Sequence, residues 1–218
     1  MSFIKKLFKK SKGNKKMSNV KLAVVFYSMG GTNYQMAKWA KESAEAQGAE
    51  VKLLKVEELA PQSVIEANDL WKSTVESVKD IPTVTSDDIE WADAIIFSSP
   101  TRFGGMASQM KQFIDMQGGI WAKGKTINKV VSAMSSAQNA NGGQEATILN
   151  IYTTMMHWGA IIAPTGYTDP VIFGAGGNPY GTSVTVGQDG KMVEDVEEAV
   201  KHQASRTVSI AESVKNNQ

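Results

Sequence analysis

The chain has 218 residues, 42% of them apolar and 21% charged, with no cysteine and two histidines. That length and mix predict one globular domain and exclude collagen, coiled-coil and disordered classes. No apolar run reaches the ~18–20 residues of a membrane span, and the lack of thiols excludes disulfides, thiolate metal sites and iron–sulfur clusters and fits a cytoplasmic location. The formal charge of +1 hides an uneven split. Seven of the 23 Lys and Arg side chains fall in the first 16 residues, leaving 16 basic against 22 acidic side chains beyond them, a formal charge of −6. An acidic body argues against nucleic acid as a partner.

In chain order, residues 1–16 form a basic tag ahead of a domain over 17–218. Phe3, Ile4, Leu7 and Phe8 recur on one helical face with Lys5, Lys6, Lys9 and Lys10 between them. This pattern suits weak peripheral contact with an anionic inner membrane surface, and a solvated lysine-rich tail is the alternative. Val20–Tyr27 reads as the first strand. A helix follows with Met36, Ala37, Ala40 and Ala44 inward, ending at Gly48, then a strand at Glu50–Lys55. Pro61 opens one helix with Val64, Ala67, Trp71, Val75 and Val78 in register, closed by Pro82. Ala94–Ser98 is the third strand, and Met106, Met110, Phe113 and Ile114 line the next helix. Lys129–Met134, a helix over Gly143–Trp158, and Ala160–Ala163 come next. The segment from Pro164 to Val193 has no clear period, and long segments of that kind are usually functional or disordered. A final helix carries Val193, Val196, Val200, Thr207, Ala211 and Val214. Strands alternating with helices predict an α/β three-layer sandwich on a parallel sheet.

In such a sheet, ligands bind beyond the carboxyl ends of the strands, where strand order reverses. Three loops there are unusual. After the first strand come Ser28, Met29, Gly30, Gly31, Thr32 and Asn33, whose backbone N–H groups at a helix start would hold a dianionic phosphate without Lys or Arg. A helix capping box at Thr32–Gln35 is the ligand-free alternative. After the third strand, Pro100, Thr101, Arg102, Phe103 and Gly104 suit a flat heteroaromatic ring. After the fourth lie Ser136, Ala137, Gln138, Asn139, Ala140, Asn141 and Gly142, small hydrogen-bonding residues before another helix. Phosphate at one loop and a planar ring at the other two suggest a mononucleotide such as FMN. Gly119–Thr126 also satisfies the phosphate-loop pattern G-x-x-x-x-G-K-[ST], which would predict a nucleotide hydrolase. That motif must follow a strand and open a helix, and here a helix precedes it and a strand follows.

Phe26–Gly31, Ser99–Gly104, Gly118-Gly119-Ile120-Trp121-Ala122, Gly142-Gly143-Gln144-Glu145 and Asn178-Pro179-Tyr180-Gly181 together resemble the WrbA family of flavodoxin-like NAD(P)H:quinone oxidoreductases. The resemblance covers the chain beyond the basic tag, with departures at Gly30 and at Gln138–Asn141. It implies a flavodoxin-like fold with strand order 2-1-3-4-5, bound FMN, NADH or NADPH as cosubstrate, a quinone acceptor, ping-pong kinetics and a homotetramer built as a dimer of dimers. It also implies that the three loops hold the FMN, that His157 approaches the flavin from a neighbouring subunit as the candidate proton donor, and that Trp121 walls the quinone pocket. A flavodoxin-type electron carrier without enzymatic activity is the alternative reading.

Overall fold

The computed structural model describes residues 19–217, so the basic tag lies outside the described residues. The elements run β1 (Lys21–Phe26), α1 (Thr32–Glu45), β2 (Glu50–Lys55), α2 (Gln62–Glu66), α3 (Asp69–Ser77), α4 (Ser86–Trp91), β3 (Ala94–Arg102), β4 (Gly105–Met106), α5 (Ser108–Asp115) and α6 (Gly118–Trp121). They continue with β5 (Val130–Ala137), α7 (Gln144–His157), β6 (Ile161–Ile162), α8 (Val171–Gly174), β7 (Ser183–Thr185) and α9 (Glu197–Lys215).

The main sheet path is β2-β1-β3-β5-β6, all parallel, which is the expected 2-1-3-4-5 order once the β4 hairpin is set aside. Strands covered on both faces read as continuous apolar runs, and β1 is such a run. Leu22, Val24 and Phe26 join one core cluster with Met36, Ala37 and Ala40 of α1 and Val200, Ala204 and Val208 of α9. Ala23 and Val25 join the other, with Ile89 of α4, Met110 and Ile114 of α5, and Ile148, Ile151 and Met155 of α7. Each fully buried aliphatic side chain contributes about 1.5–3 kcal/mol of transfer free energy, so alternate residues of one strand fasten helices to both faces.

The structure corrects or adds to the expected elements at four places. The helix predicted from Pro61 to Val78 is two helices, broken where Asn68 turns extended and its side chain accepts the N–H of Trp71 as the N-cap of α3. Local capping there outweighs the continuing 3.6-residue period. The polar stretch before Ala94 holds α4, secured by a Thr85–Asp88 capping box. Trp121 ends a short helix rather than lying in a loop. The segment without period contains α8 and β7, and β7 pairs with Ser135–Ala137 of β5 while β6 pairs with Val130 and Val131. The fifth strand is therefore split in two, with residues 163–182 inserted between its halves.

Candidate functional site

The carboxyl ends of β1, β3 and β5 open together onto a cavity of about 570 Å³, within the roughly 300–1,000 Å³ of small-molecule sites. Ser28, Met29, Gly30, Thr32 and Asn33 line it from the first loop, Pro100, Thr101, Arg102 and Phe103 from the second, and Ser136, Ala137, Gln138, Asn139 and Gly142 from the third. Leu70 of α3 and the turn at Val186–Gly190 complete the wall. Sequence reasoning missed these last two, although the long segment after Pro164 carried the signal for the turn.

Among the described residues Arg102 is the one charged residue lining the cavity, so these residues would balance an anion mainly by backbone. The start of α1 is built for that. Gly31 is the N-cap, with φ +84°, and no side chain caps the helix. Thr32 lies inside the first turn, so the capping box expected at Thr32–Gln35 does not form. Its hydroxyl and that of Ser28 bond no described residue, and the N–H groups of Gly31, Thr32 and Asn33 find no acceptor among the described residues. An uncapped helix start carries the equivalent of about half a positive charge. With two such hydroxyls beside it, this helix start offers the donors that a phosphate group needs.

The Asn33 side chain has a structural role beside the backbone N–H expected to bind. Its Nδ2 donates to Ser98 Oγ at 3.1 Å and its Oδ1 accepts from Ser136 Oγ at 2.6 Å, while Ser98 Oγ donates back to Asn33 O at 3.1 Å. The buried amide thus ties α1 to β3 and β5, and only its backbone N–H faces the task of binding.

The second loop is a two-residue hairpin turn, closed by pairing of Arg102 with Gly105. Phe103 (φ 52°) and Gly104 (φ 82°) are its central residues, the geometry that usually takes Asn-Gly. An aromatic residue in the left-handed region costs about 1–2 kcal/mol, and Phe103 stands fully exposed at the cavity rim. Gly104 does not line the cavity. It backs against Gly143, where a Cβ would lie 2.9 Å from Gly104 Cα, and Thr147 Oγ1 donates to Thr101 Oγ1 at 2.8 Å. In the third loop a Cβ on Gly142 would meet Ala137 Cβ at 2.5 Å. Ala140 and Asn141 turn away and line a neighbouring cavity with Glu145 and Glu194.

Behind the first loop sits a polar cluster. Glu58 accepts from Gln109 Nε2 (2.7 Å), Trp71 Nε1 (3.0 Å), Tyr27 Oη (3.1 Å) and the N–H of Ala60 (3.0 Å). Burial pushes its carboxyl up, but the hydrogen bonds from Ala60, Gln109, Trp71 and Tyr27 outweigh burial and hold it below the ordinary glutamate value. Burial, then the Glu58 charge, pushes the Tyr27 hydroxyl up, so it stays protonated.

Trp121 and His157 are brought together, but not at this cavity. Trp121 Nε1 donates to His157 O at 2.9 Å, and both line a separate depression with Lys111, Asp115 and Thr153. His157 is the last residue of α7, whose start lies two residues beyond Gly142 of the main cavity; fourteen residues of helix separate the two by roughly 20 Å. The phosphate-loop lookalike forms no anion site: Lys125 pairs with Glu90 at 2.8 Å and Thr126 Oγ1 donates to Trp158 O. No cluster of His, Cys, Asp and Glu able to hold a metal occurs among the described residues.

Residues 20–168 match the family described as NADPH-dependent FMN reductase. The chain is 57% identical over 192 residues to an NAD(P)H dehydrogenase (quinone) of Deinococcus radiodurans, covering 88% of this chain and 95% of that one. It is 40% identical over 202 residues to a protein of the same description from Geotalea daltonii, covering 88% and 97%. Among solved structures, a WrbA-like flavodoxin from Agrobacterium tumefaciens superposes with a TM-score of 0.58 at 20% identity, covering 92% of this chain and all of the other. That likeness establishes a flavodoxin-like fold.

Proposed function

The chain belongs to the NADPH-dependent FMN reductase family, and we infer from that premise that it is an FMN-dependent NAD(P)H:quinone oxidoreductase. The observation that carries the inference is the uncapped start of α1, with its unpartnered N–H groups and the free hydroxyls of Ser28 and Thr32, at the mouth of an otherwise nearly neutral cavity. These groups would hold the FMN phosphate. Pro100–Phe103 and Ser136–Asn139 would flank its ring and ribityl chain, Gly142 closing the third loop. FMN held there would supply two-electron redox chemistry between NADH or NADPH and a quinone.

The protein's own part is position and shielding. Asn33 fixes the cradle against the sheet, Thr101 and Thr147 fix the second loop on α7, and the tight Gly142–Ala137 approach fixes the third. Among the described residues no histidine or carboxylate lines the cavity, so proton delivery would come from solvent or from a neighbouring chain.

Within the family we place the chain in the WrbA branch and as a homotetramer. The reading is supported by the five sequence blocks named above and by Trp121 and His157. These two sit at the far end of α7 among the exposed apolar residues Met116, Ile127 and Met156, where a second copy would present them to another chain's cavity. His157 is then the candidate proton donor and Trp121 the quinone wall, each acting across an interface.

Turnover of benzoquinone by the FMN-loaded protein with NADPH or NADH tests the assignment. Reduction with parallel double-reciprocal lines, the sign of alternating half-reactions, is expected. No turnover with either nicotinamide would leave a flavodoxin-type electron carrier instead.

A further inference from the structure

Gly30 and Gly31 are neighbours in the first loop, yet only Gly31 has a φ in the left-handed region. The backbone at Gly30 therefore accepts any residue, and the obstacle to a side chain there is Leu70. Leu70 Cδ2 stands 3.3 Å from where a Cβ on Gly30 would lie, closer than a comfortable carbon–carbon contact of about 3.5–4.0 Å, and within contact, 3.4 Å, of the same point on Gly190, whose φ of 78° itself favours glycine. One leucine fills the side-chain space of two loops far apart in sequence, and it lines the same cavity as both. Its helix is well fastened. Asn68 caps α3, and Trp71, the next residue after Leu70, is bonded to Glu58, which Tyr27 and Gln109 also hold. Yet half of the Leu70 surface is exposed. A leucine held rigidly at a cavity wall and left half-bare is completed by an apolar surface laid against it.

We propose that Leu70 is a specificity-determining residue of the mononucleotide pocket: it supplies, from α3, the apolar wall that Gly30 and Gly190 leave out, and packs against the planar ring system of bound FMN. This rests on the FMN reading above. With Met29, Pro100 and Val186 it forms the apolar part of the cavity, whereas the start of α1 forms the polar part. The two together select a ligand that is flat and apolar at one end and anionic at the other.

The test is FMN titration of the apoprotein, followed by quenching of flavin fluorescence, for the wild type, Leu70→Ala, Leu70→Met, Gly30→Leu and the double variant Gly30→Leu/Leu70→Ala. Leu70→Ala should weaken binding about tenfold, and Leu70→Met, which keeps the volume, should stay within about threefold of wild type. Gly30→Leu should bind more weakly than wild type, because two side chains compete for one space. The double variant, with its leucine moved from α3 to the loop, should bind more tightly than either Gly30→Leu or Leu70→Ala. Circular dichroism of each apoprotein checks folding. Wild-type affinity in Leu70→Ala, an equal loss in Leu70→Met, or losses that simply multiply in the double variant would overturn the role of Leu70 alone. A wild type that takes up no FMN would overturn the FMN reading and this proposal with it.

Discussion

Asn33 serves the first loop in two ways, its backbone N–H at the helix start and its side chain as a tie to the sheet. Its place in a polar loop before a helix suggests a phosphate ligand, but its amide bonds Ser98 and Ser136, partners 65 and 103 residues away. Local spacing carries no signal for such contacts. Because all three groups are buried, Asn33→Ala leaves the Ser136 hydroxyl without its acceptor and removes the donor to Ser98 Oγ, which keeps its bond to the residue 33 carbonyl, and should destabilise the protein by about 2 kcal/mol. Urea unfolding measures this directly; a change under 0.5 kcal/mol would mean that the amide is not a tie. FMN affinity should fall in the same variant, since the α1 start loses its anchor to β3 and β5. Gly31, by contrast, was legible. A glycine just ahead of a helix, with no Ser, Thr, Asp or Asn at the N-cap itself, leaves the first N–H groups open, and the structure confirms that no side chain closes them.

At the scale of elements, the polar cluster around Glu58 joins the end of β1, the start of α5 and the helix α3 that carries Leu70. Glu58 has a folded-state pKa below its unfolded value. Its stabilisation is therefore complete above the ordinary glutamate value of about 4.3 and is lost as pH falls through the lower, folded value. Glu58→Gln should cost about 1–2 kcal/mol at pH 7 by replacing charge-assisted bonds with neutral ones. The gap between wild type and variant should narrow as pH drops below 4. Denaturation curves at pH 7 and pH 3.5 check it, and a gap that stays constant or widens in acid would contradict the assignment. The elements themselves were legible wherever burial on both faces produced a long apolar run, as in β1, β3 and β5. They were missed where short local signals decide: the Asn68 cap that splits α2 from α3, the capping box of α4, and β7. That last strand is three residues long, Ser183–Thr185, and is defined only by its pairing with β5. The insertion at 163–182 separates it from β6, so no period survives along the chain. The turn at Val186–Gly190 walls the cavity, and the sequence marked it only as part of a long segment without period.

For the whole molecule, the expected sheet order and layering hold, and the three carboxyl-edge loops meet as predicted. One set of candidate residues does not join them. Trp121 and His157 lie at the opposite end of α7, beside exposed Met116, Ile127 and Met156. For His157 this agrees with the resemblance, which implies that it approaches from a neighbouring subunit; the pairing of Trp121 with it had no signal in the spacing. If these residues act across an interface, light scattering on the purified protein should give about four times the 23.6 kDa chain mass, and Trp121→Asp should shift the mass downward. A monomer for the wild type would remove both residues from the site. The central claim is that the bare start of α1 holds a phosphate, and comparing FMN with riboflavin in titrations of the same apoprotein tests it most directly. The account predicts that FMN binds at least about a hundredfold more tightly, as several charge-assisted hydrogen bonds would supply. Equal affinity for the two would contradict it.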